Sequence, residues 1–377
     1  MRAVVDRFNA WSLDLARDDD DPAALLQGIV DELADLPLVR VATSFRPLDP
    51  LVWAQNLVWE RDRGISSFAR AYDITSTDFV GSAPEAIFVH RSGTIRDRLE
   101  HGSRFKPVDA LVRQRATDYL VQPIELGRGF RSYISYAIDR PGGFTDDELA
   151  LLEAILPAVS NVNRLRSEQL TSTSLLRTYL GHNAAERVLS GDVRRGTGER
   201  IHAAIWFCDL RGFTVLSQQL PPDQLLQVLD RYFEAAAGPI VDGGGEILKF
   251  IGDAMLAIFP AAPHGVAAAC RRAAVAATTA LDRFAAELGP GYGMGLALHV
   301  GEVFYGNIGA RGRLDFTVIG PAVNLAARVQ GQCTPLGTPL LMTGAFATHL
   351  DRSDLVSLGT VPLKGIDAPA ELLTLRR

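Results

Sequence analysis

The chain has 377 residues, with 38 Lys+Arg against 44 Asp+Glu, a formal charge of −6, and 47% of it is hydrophobic. That length suggests two domains, and that apolar share excludes wholesale disorder, because enough surface can be buried to offset the entropy of ordering. The acidic balance argues against a dedicated nucleic-acid binder, which carries a basic stripe.

The opening stretch MRAVVDRFNAWSLDLARDDDD lacks a sustained apolar core and a small-residue cleavage site, so no secretory signal is read. Asp18 to Asp21 followed by Pro22 predicts a helix start, with acids facing the positive helix end and a helix over Ala23 to Leu36. Leu38 to Phe45 reads as a strand with Val39, Val41 and Thr43 on one face. Further strands are expected at Glu85 to His90, Asp118 to Glu125 and Arg131 to Ile138, giving a mixed α+β domain over residues 1–165. Trp53, Trp59, Phe68, Tyr72 and Phe79 in it could line a ligand pocket or pack a core. Thr145 and Glu148 form a capping box. Leu152, Ile155, Val159 and Val162 then recur at helical spacing, with a kink expected at Pro157 and a break at Thr171 to Thr173. A second amphipathic stretch covers Leu175 to Leu189, so residues 166–197 are expected to be a helical linker that either pairs across a dimer or packs on its own domain.

From Ile201 the pattern changes. His202 to Cys208 is a continuous apolar strand, Asp223 to Ala237 a helix, and Gly245 to Phe250 with Ala254 to Phe259 two strands around a tight turn. A helix over Gly265 to Leu288, strands at Tyr292 to Val300, Glu302 to Asn307 and Leu314 to Val318, and a helix over Ala322 to Gln330 follow. The fold class is therefore α+β, with residues 198–377 forming an antiparallel or mixed sheet backed by helices, of the ferredoxin-like kind. Cys208, Cys270 and Cys333 make no CxxC pair, which fits a reducing compartment. The most apolar stretch, Ala254 to Cys270, holds Pro260, Pro263 and His264, so no membrane span is expected and a cytoplasmic location is.

Three segments carry chemistry. In FCDLRGFT, Asp209 closes an apolar strand, where a carboxylate must be met by a metal ion, a helix N-terminus or an arginine. In EILKFIGDAMLAIF, Asp253 sits at a hairpin tip, where local hydrogen bonding is the plainer alternative. Should the two strands be neighbours, both carboxylates could project from one sheet edge and suit Mg²⁺ or Mn²⁺ carrying a polyphosphate. In RLDFTVIGPAVNLAARV, Asn324 and Arg328 are four apart on a helix and share a face. That face could grip an anionic ligand or simply meet solvent, as Lys249 could on its strand.

In this order and spacing, FCDLRGFT, ILKFIGDAMLAIF and VNLAAR, with the trailing LKG at Leu363 to Gly365, resemble the class III nucleotidyl cyclase catalytic domain over residues 198–376. The resemblance implies a palm-like domain that binds two Mg²⁺ or Mn²⁺ through Asp209, Asp253 and the Leu210 carbonyl. By the same resemblance Lys249 reads the adenine base, Asn324 orients the ribose, Arg328 stabilises the transition state at the α-phosphate, and Lys364 contacts the terminal phosphates. Thr317 stands where many members have an aspartate, as in a subgroup that includes bicarbonate-responsive enzymes; its hydroxyl could accept from the adenine amino group. The implied activity is an adenylate cyclase making 3′,5′-cyclic AMP and pyrophosphate from ATP, with a guanylate cyclase or a catalytically silent nucleotide-binding module as alternatives. The family also implies a head-to-tail homodimer, one chain giving the aspartates and the other Lys249, Thr317, Asn324 and Arg328.

In the first half, RSYISYAIDRPGGFTDDELALLEAILPAVSNVNR resembles the last strand and helix of a GAF-type sensor domain, which implies a small-molecule ligand and regulation of the cyclase through the helices at 146–189. No cysteine precedes Cys208, which excludes a thioether-linked tetrapyrrole there.

Overall fold

A computed structural model describes residues 2–18, 22–72, 79–106 and 109–376. The chain divides into two units, Met1–Thr178 and Tyr179–Arg377. Asp19 to Asp21 of the acidic tetrad lie outside the described residues.

The first unit runs α1 (Arg2–Asp18), α2 (Pro22–Glu32), β1 (Leu38–Phe45), β2 (Ala54–Glu60), β3 (Gly64–Arg70), α3 (Ala83–Phe88), β4 (Ile95–Arg98), α4 (Asp109–Arg113), β5 (Asp118–Gly127), β6 (Phe130–Ile138) and α5 (Asp146–Leu180). Its strands form one sheet in the order β3-β2-β1-β6-β5-β4, every neighbouring pair antiparallel. Helices α1, α2 and α5 cover one face, packing Phe8, Leu25, Ile29, Ile155 and Val159 on Val41 and Phe45 of β1. The other face carries a smaller core with Val39, Ala42, Ile87, Tyr119 and Tyr133.

Several expectations are corrected here. Val39 and Val41 serve opposite faces, because the β1–β6 register slips between Leu38 and Arg40 and re-phases the alternation. Glu85 to His90 is not a strand: α3 occupies it. Ser82 caps that helix by accepting from the Glu85 N–H at 3.2 Å, Glu85 reaches back to the Gly81 N–H at 2.6 Å, and proline sits in the first turn. Helix α5 runs unbroken through Thr171 to Thr173. Two of the three hydroxyls that would compete with helix formation are occupied: Thr171 Oγ1 accepts from the Leu48 N–H at 3.2 Å, and the Ser172 hydroxyl donates to the Glu168 carbonyl at 3.0 Å. The capping box stands as read, with the Thr145 N–H on Glu148 at 2.8 Å and the Glu148 N–H on Thr145 at 3.3 Å. The helix ends at Leu180, before Gly181 at φ 85°.

The second unit runs α6 (His182–Leu189), β7 (Gly198–Leu210), α7 (Phe213–Gln219), α8 (Pro222–Asp242), β8 (Glu246–Ile251), β9 (Ala254–Pro260), α9 (Val266–Leu288), β10 (Met294–Ala310), β11 (Arg313–Ile319), α10 (Pro321–Gln330), β12 (Leu340–Thr343), α11 (Gly344–Ala347), β13 (Leu355–Val361) and β14 (Ala370–Leu375). The sheet order is β13-β14-β12-β10-β7-β9-β8, with β11 paired to β10. Within it, β7-α8-β8-β9-α9-β10 has the βαββαβ order of a ferredoxin-like fold, its strands lying as fourth, first, third, second. Only β10 and β12 run parallel, so the sheet is mixed. Helices α8 and α9 pack on one face against Trp206, Cys208 and Phe259; α10 packs on the other through Ala322 and Ala326.

The two strands expected at Tyr292 to Val300 and Glu302 to Asn307 are one, β10. Gly301 does not break it, but pairs with Ala203. A Cβ there would come 2.8 Å from the Ala322 side chain, so glycine lets α10 lie close to the strand.

Candidate functional site: a two-carboxylate rim

Strands β7 and β9 are direct neighbours, and Cys208 pairs with Met255. Asp209, the next-to-last residue of β7, and Asp253, just before β9, therefore stand at the same end of adjacent strands. The chain achieves this with two glycines at positive φ, Gly212 at 72° opening α7 and Gly252 at 65° in the β8–β9 turn. Asp209 is half-buried; burial and then the charge of Asp253 push its carboxyl up to about 6, while Gln330 and Arg211 act the other way. Two hard oxygen donors whose like charges oppose each other fit divalent Mg²⁺ or Mn²⁺, which would relieve that repulsion. Among the described residues no group of three or more His, Cys, Asp or Glu could hold a metal ion, so further ligands would come from backbone, water or phosphate. Leu210 ends β7 beside Asp209, and its side chain is buried.

Sequence reasoning missed Gln330. It is 7% exposed, its amide donates to Asp209 Oδ1, and it also reaches the Gly295 carbonyl at 3.4 Å. A polar residue on the otherwise apolar side of α10 was the available signal. Gly295 itself has no room for a Cβ, which would lie 2.9 Å from the Gln330 amide and 3.2 Å from Asp209.

A second group forms where β8 faces β11. Lys249 Nζ lies 3.2 Å from Asp315 Oδ2, an acid that the sequence reading did not single out. Thr317 is two residues farther along β11 and so on the same face. It is 3% exposed, and its hydroxyl has no hydrogen-bond partner among the described residues. Asn324 and Arg328 are both exposed on α10, one turn apart, Arg328 in the last turn where the helix dipole favours a cation. Lys364 is exposed at a turn, and no hydrogen bond or ion pair among the described residues joins it to the others. Phe250, Ile251 and Ile319, beside Lys249 and at the end of β11, are 53%, 49% and 50% exposed.

The second unit thus joins a ferredoxin-like sheet, two carboxylates at one rim, and an amide and a guanidinium on a flanking helix. Residues 199–374 match the family model of the adenylate and guanylate cyclase catalytic domain. An adenylate cyclase from Anabaena cylindrica is 32% identical over 188 residues, covering 47% of this chain and 37% of that protein. An uncharacterized protein of Mycobacterium tuberculosis is 31% identical over 211 residues, 54% of this chain and 37% of its own length. The match thus spans little more than a third of these relatives. Among solved structures, a bacterial light-regulated adenylyl cyclase aligns with a TM-score of 0.50 at 19% identity, covering 68% of this chain and 86% of that one, a likeness of fold alone. No helix among the described residues is long and apolar enough to cross a membrane.

Proposed function

We propose that the second unit is an adenylate cyclase, converting ATP to 3′,5′-cyclic AMP and pyrophosphate by attack of the ribose 3′-hydroxyl on the α-phosphorus. The observation that carries the reading is Asp209 and Asp253 at one end of adjacent strands, close enough for Asp253 to raise the Asp209 carboxyl. Two Mg²⁺ or Mn²⁺ ions held there, with the Leu210 carbonyl as a further donor, would acidify the 3′-hydroxyl and neutralise the departing pyrophosphate. Gln330 holds the Asp209 carboxylate in place. Arg328 meets charge developing on the α-phosphoryl oxygens with a guanidinium fork already extended into solvent. Asn324, one turn earlier, orients the ribose, and Lys364 is assigned to the terminal phosphates.

The buried, unpartnered Thr317 hydroxyl supports adenine recognition, since it can accept from an exocyclic amino group while Lys249 donates to a ring nitrogen. One observation favours GTP as a second reading: Asp315, 3.2 Å from Lys249, could accept the N–H donors of guanine. A head-to-tail homodimer is part of the proposal, supported by the exposed Asn324 and Arg328 and the apolar Phe250, Ile251 and Ile319 around Lys249. The first unit is proposed as a GAF-like regulatory domain, a reading supported by its six-stranded antiparallel sheet with α5 packed on one face.

The test is an assay of the purified chain with ATP and with GTP, each with Mg²⁺ and Mn²⁺, beside Asp253→Ala. The expected result is cyclic AMP formation that Asp253→Ala lowers by at least about 10³-fold. Full turnover in the variant removes the metal assignment, and preferential use of GTP removes the adenine one.

A further inference from the structure

The first unit holds a cavity of about 330 Å³ on the sheet face away from α5, walled by Trp53, Phe68, Phe79, Phe88 and Tyr133. Three of the five aromatics that the sequence singles out line it. Trp59 instead packs against the α5-side core, and Tyr72 is exposed with its hydroxyl on the Asp49 carbonyl. Trp53 and Phe88 meet edge-on at 4.8 Å and Trp53 and Phe79 at 5.4 Å, while the Arg46 guanidinium lies over one face of Trp53 at 4.0 Å and that of Arg70 over Phe79 at 5.0 Å.

Two polar groups in this wall are unsatisfied. Arg40 projects from the middle of the sheet and is 8% exposed, and its Nε has no hydrogen-bond partner among the described residues. The acid nearest to it, Glu60, is 4.0 Å away and already held by Arg113 at 2.8 Å. Tyr119 is 4% exposed with an unpartnered hydroxyl. A buried guanidinium with an unmet N–H is costly unless an anion answers it. Asp109 is the one acid among the lining residues; Arg70 and Lys106 add positive charge there.

We propose that this cavity binds a small aromatic carboxylate. One guanidinium N–H and one phenol O–H are two donors, the number that a carboxylate's two oxygens accept; a phosphate asks for more. The aromatic wall takes a planar ring by stacking and edge contact. The volume is at the lower end for small-molecule sites and suits a molecule of one or two rings, roughly 10–15 heavy atoms. The site belongs to the first unit alone and stands whether or not the second is a cyclase.

Calorimetric titration of the full chain with benzoate, 4-hydroxybenzoate, indole-3-carboxylate and 2-naphthoate tests it, beside their amides and inorganic phosphate. At least one carboxylate should bind saturably, one per chain, and its amide about 10-fold or more weakly. Arg40→Gln should weaken that binding about 10- to 100-fold and Tyr119→Phe, which keeps the ring and removes only the hydroxyl, about 3- to 10-fold. Circular dichroism establishes that each variant folds; if Arg40→Gln does not, Tyr119→Phe decides. Binding by no carboxylate, equal binding of the amide or of phosphate, or undiminished binding by the folded variants overturns the proposal.

Discussion

The two units use their sheets in opposite ways. In the first, all eight residues of β1 are buried, and the groups assigned above to a ligand, Arg40 and Tyr119, are buried within one chain. In the second, the candidate site sits at an open rim: Asn324, Arg328, Phe250 and Ile251 are exposed, whereas Gln330 and Thr317 are buried and Asp209 is half-buried. In the readings proposed above, the inward unpaired donors would be met by a small molecule and the outward cation beside exposed apolar side chains by a second chain. The first site would then be complete in the monomer and the rim site half of one.

The strongest way to break this contrast is complementation. Asp253→Ala should lower turnover by at least about 10³-fold and Arg328→Ala by at least about 10²-fold. If each rim is completed by a second chain, mixing the two variants should restore about a quarter of wild-type activity, because half the dimers are mixed and each holds one intact site. No recovery in the mixture would mean that each site is built within one chain. Arg328→Ala should leave the melting temperature unchanged, since the side chain is exposed.

The buried side of the second unit gives a smaller effect. His299 is 7% exposed, bonded to Thr343 at 2.8 Å, and burial pushes its pKa down to about 4. The unfolded chain takes up that proton near pH 6.5. Stability is therefore full above that pH and is lost as pH falls toward 4, by about 3 kcal/mol over the interval. Denaturant titrations at pH 7 and pH 4.5 should show the loss, and His299→Gln should flatten it. The smallest expected effect lies in the first unit: Thr145→Ala removes one half of the α5 capping box and should cost about 1 kcal/mol in the same titration.

Elements whose signal is local were legible in the sequence. Leu38 to Phe45 matches β1 end to end, and the adjacency of the aspartate-bearing strands follows the expected topology. What misled was punctuation that tertiary contacts override. EAIFVH reads as an apolar strand until Ser82 and Pro84 before it are weighed as a helix start. Gly301 reads as a strand end, but it answers to a close helix rather than a turn. Strands β2 and β3 and helix α1 were missed; most of β3 is exposed and gives no clean alternation. At the candidate site, Asp209, Asp253, Asn324 and Arg328 were singled out by the resemblance of their motifs, spacing alone leaving plainer readings open. Asp315 and Gln330 were not, because each matters through a side chain more than 60 residues away, Lys249 and Asp209.

Helix α10 carries a consequence for how paired active sites would communicate. Gln330 anchors its end to Asp209 of the same chain, while Arg328, two residues earlier, points outward. In a head-to-tail pair that guanidinium serves the neighbour's nucleotide, so one short rod ties the carboxylate of one centre to the cation of the other. Filling either centre would then tug on its twin, and the sign of that crosstalk should appear as a Hill coefficient different from one that Gln330→Ala returns toward unity.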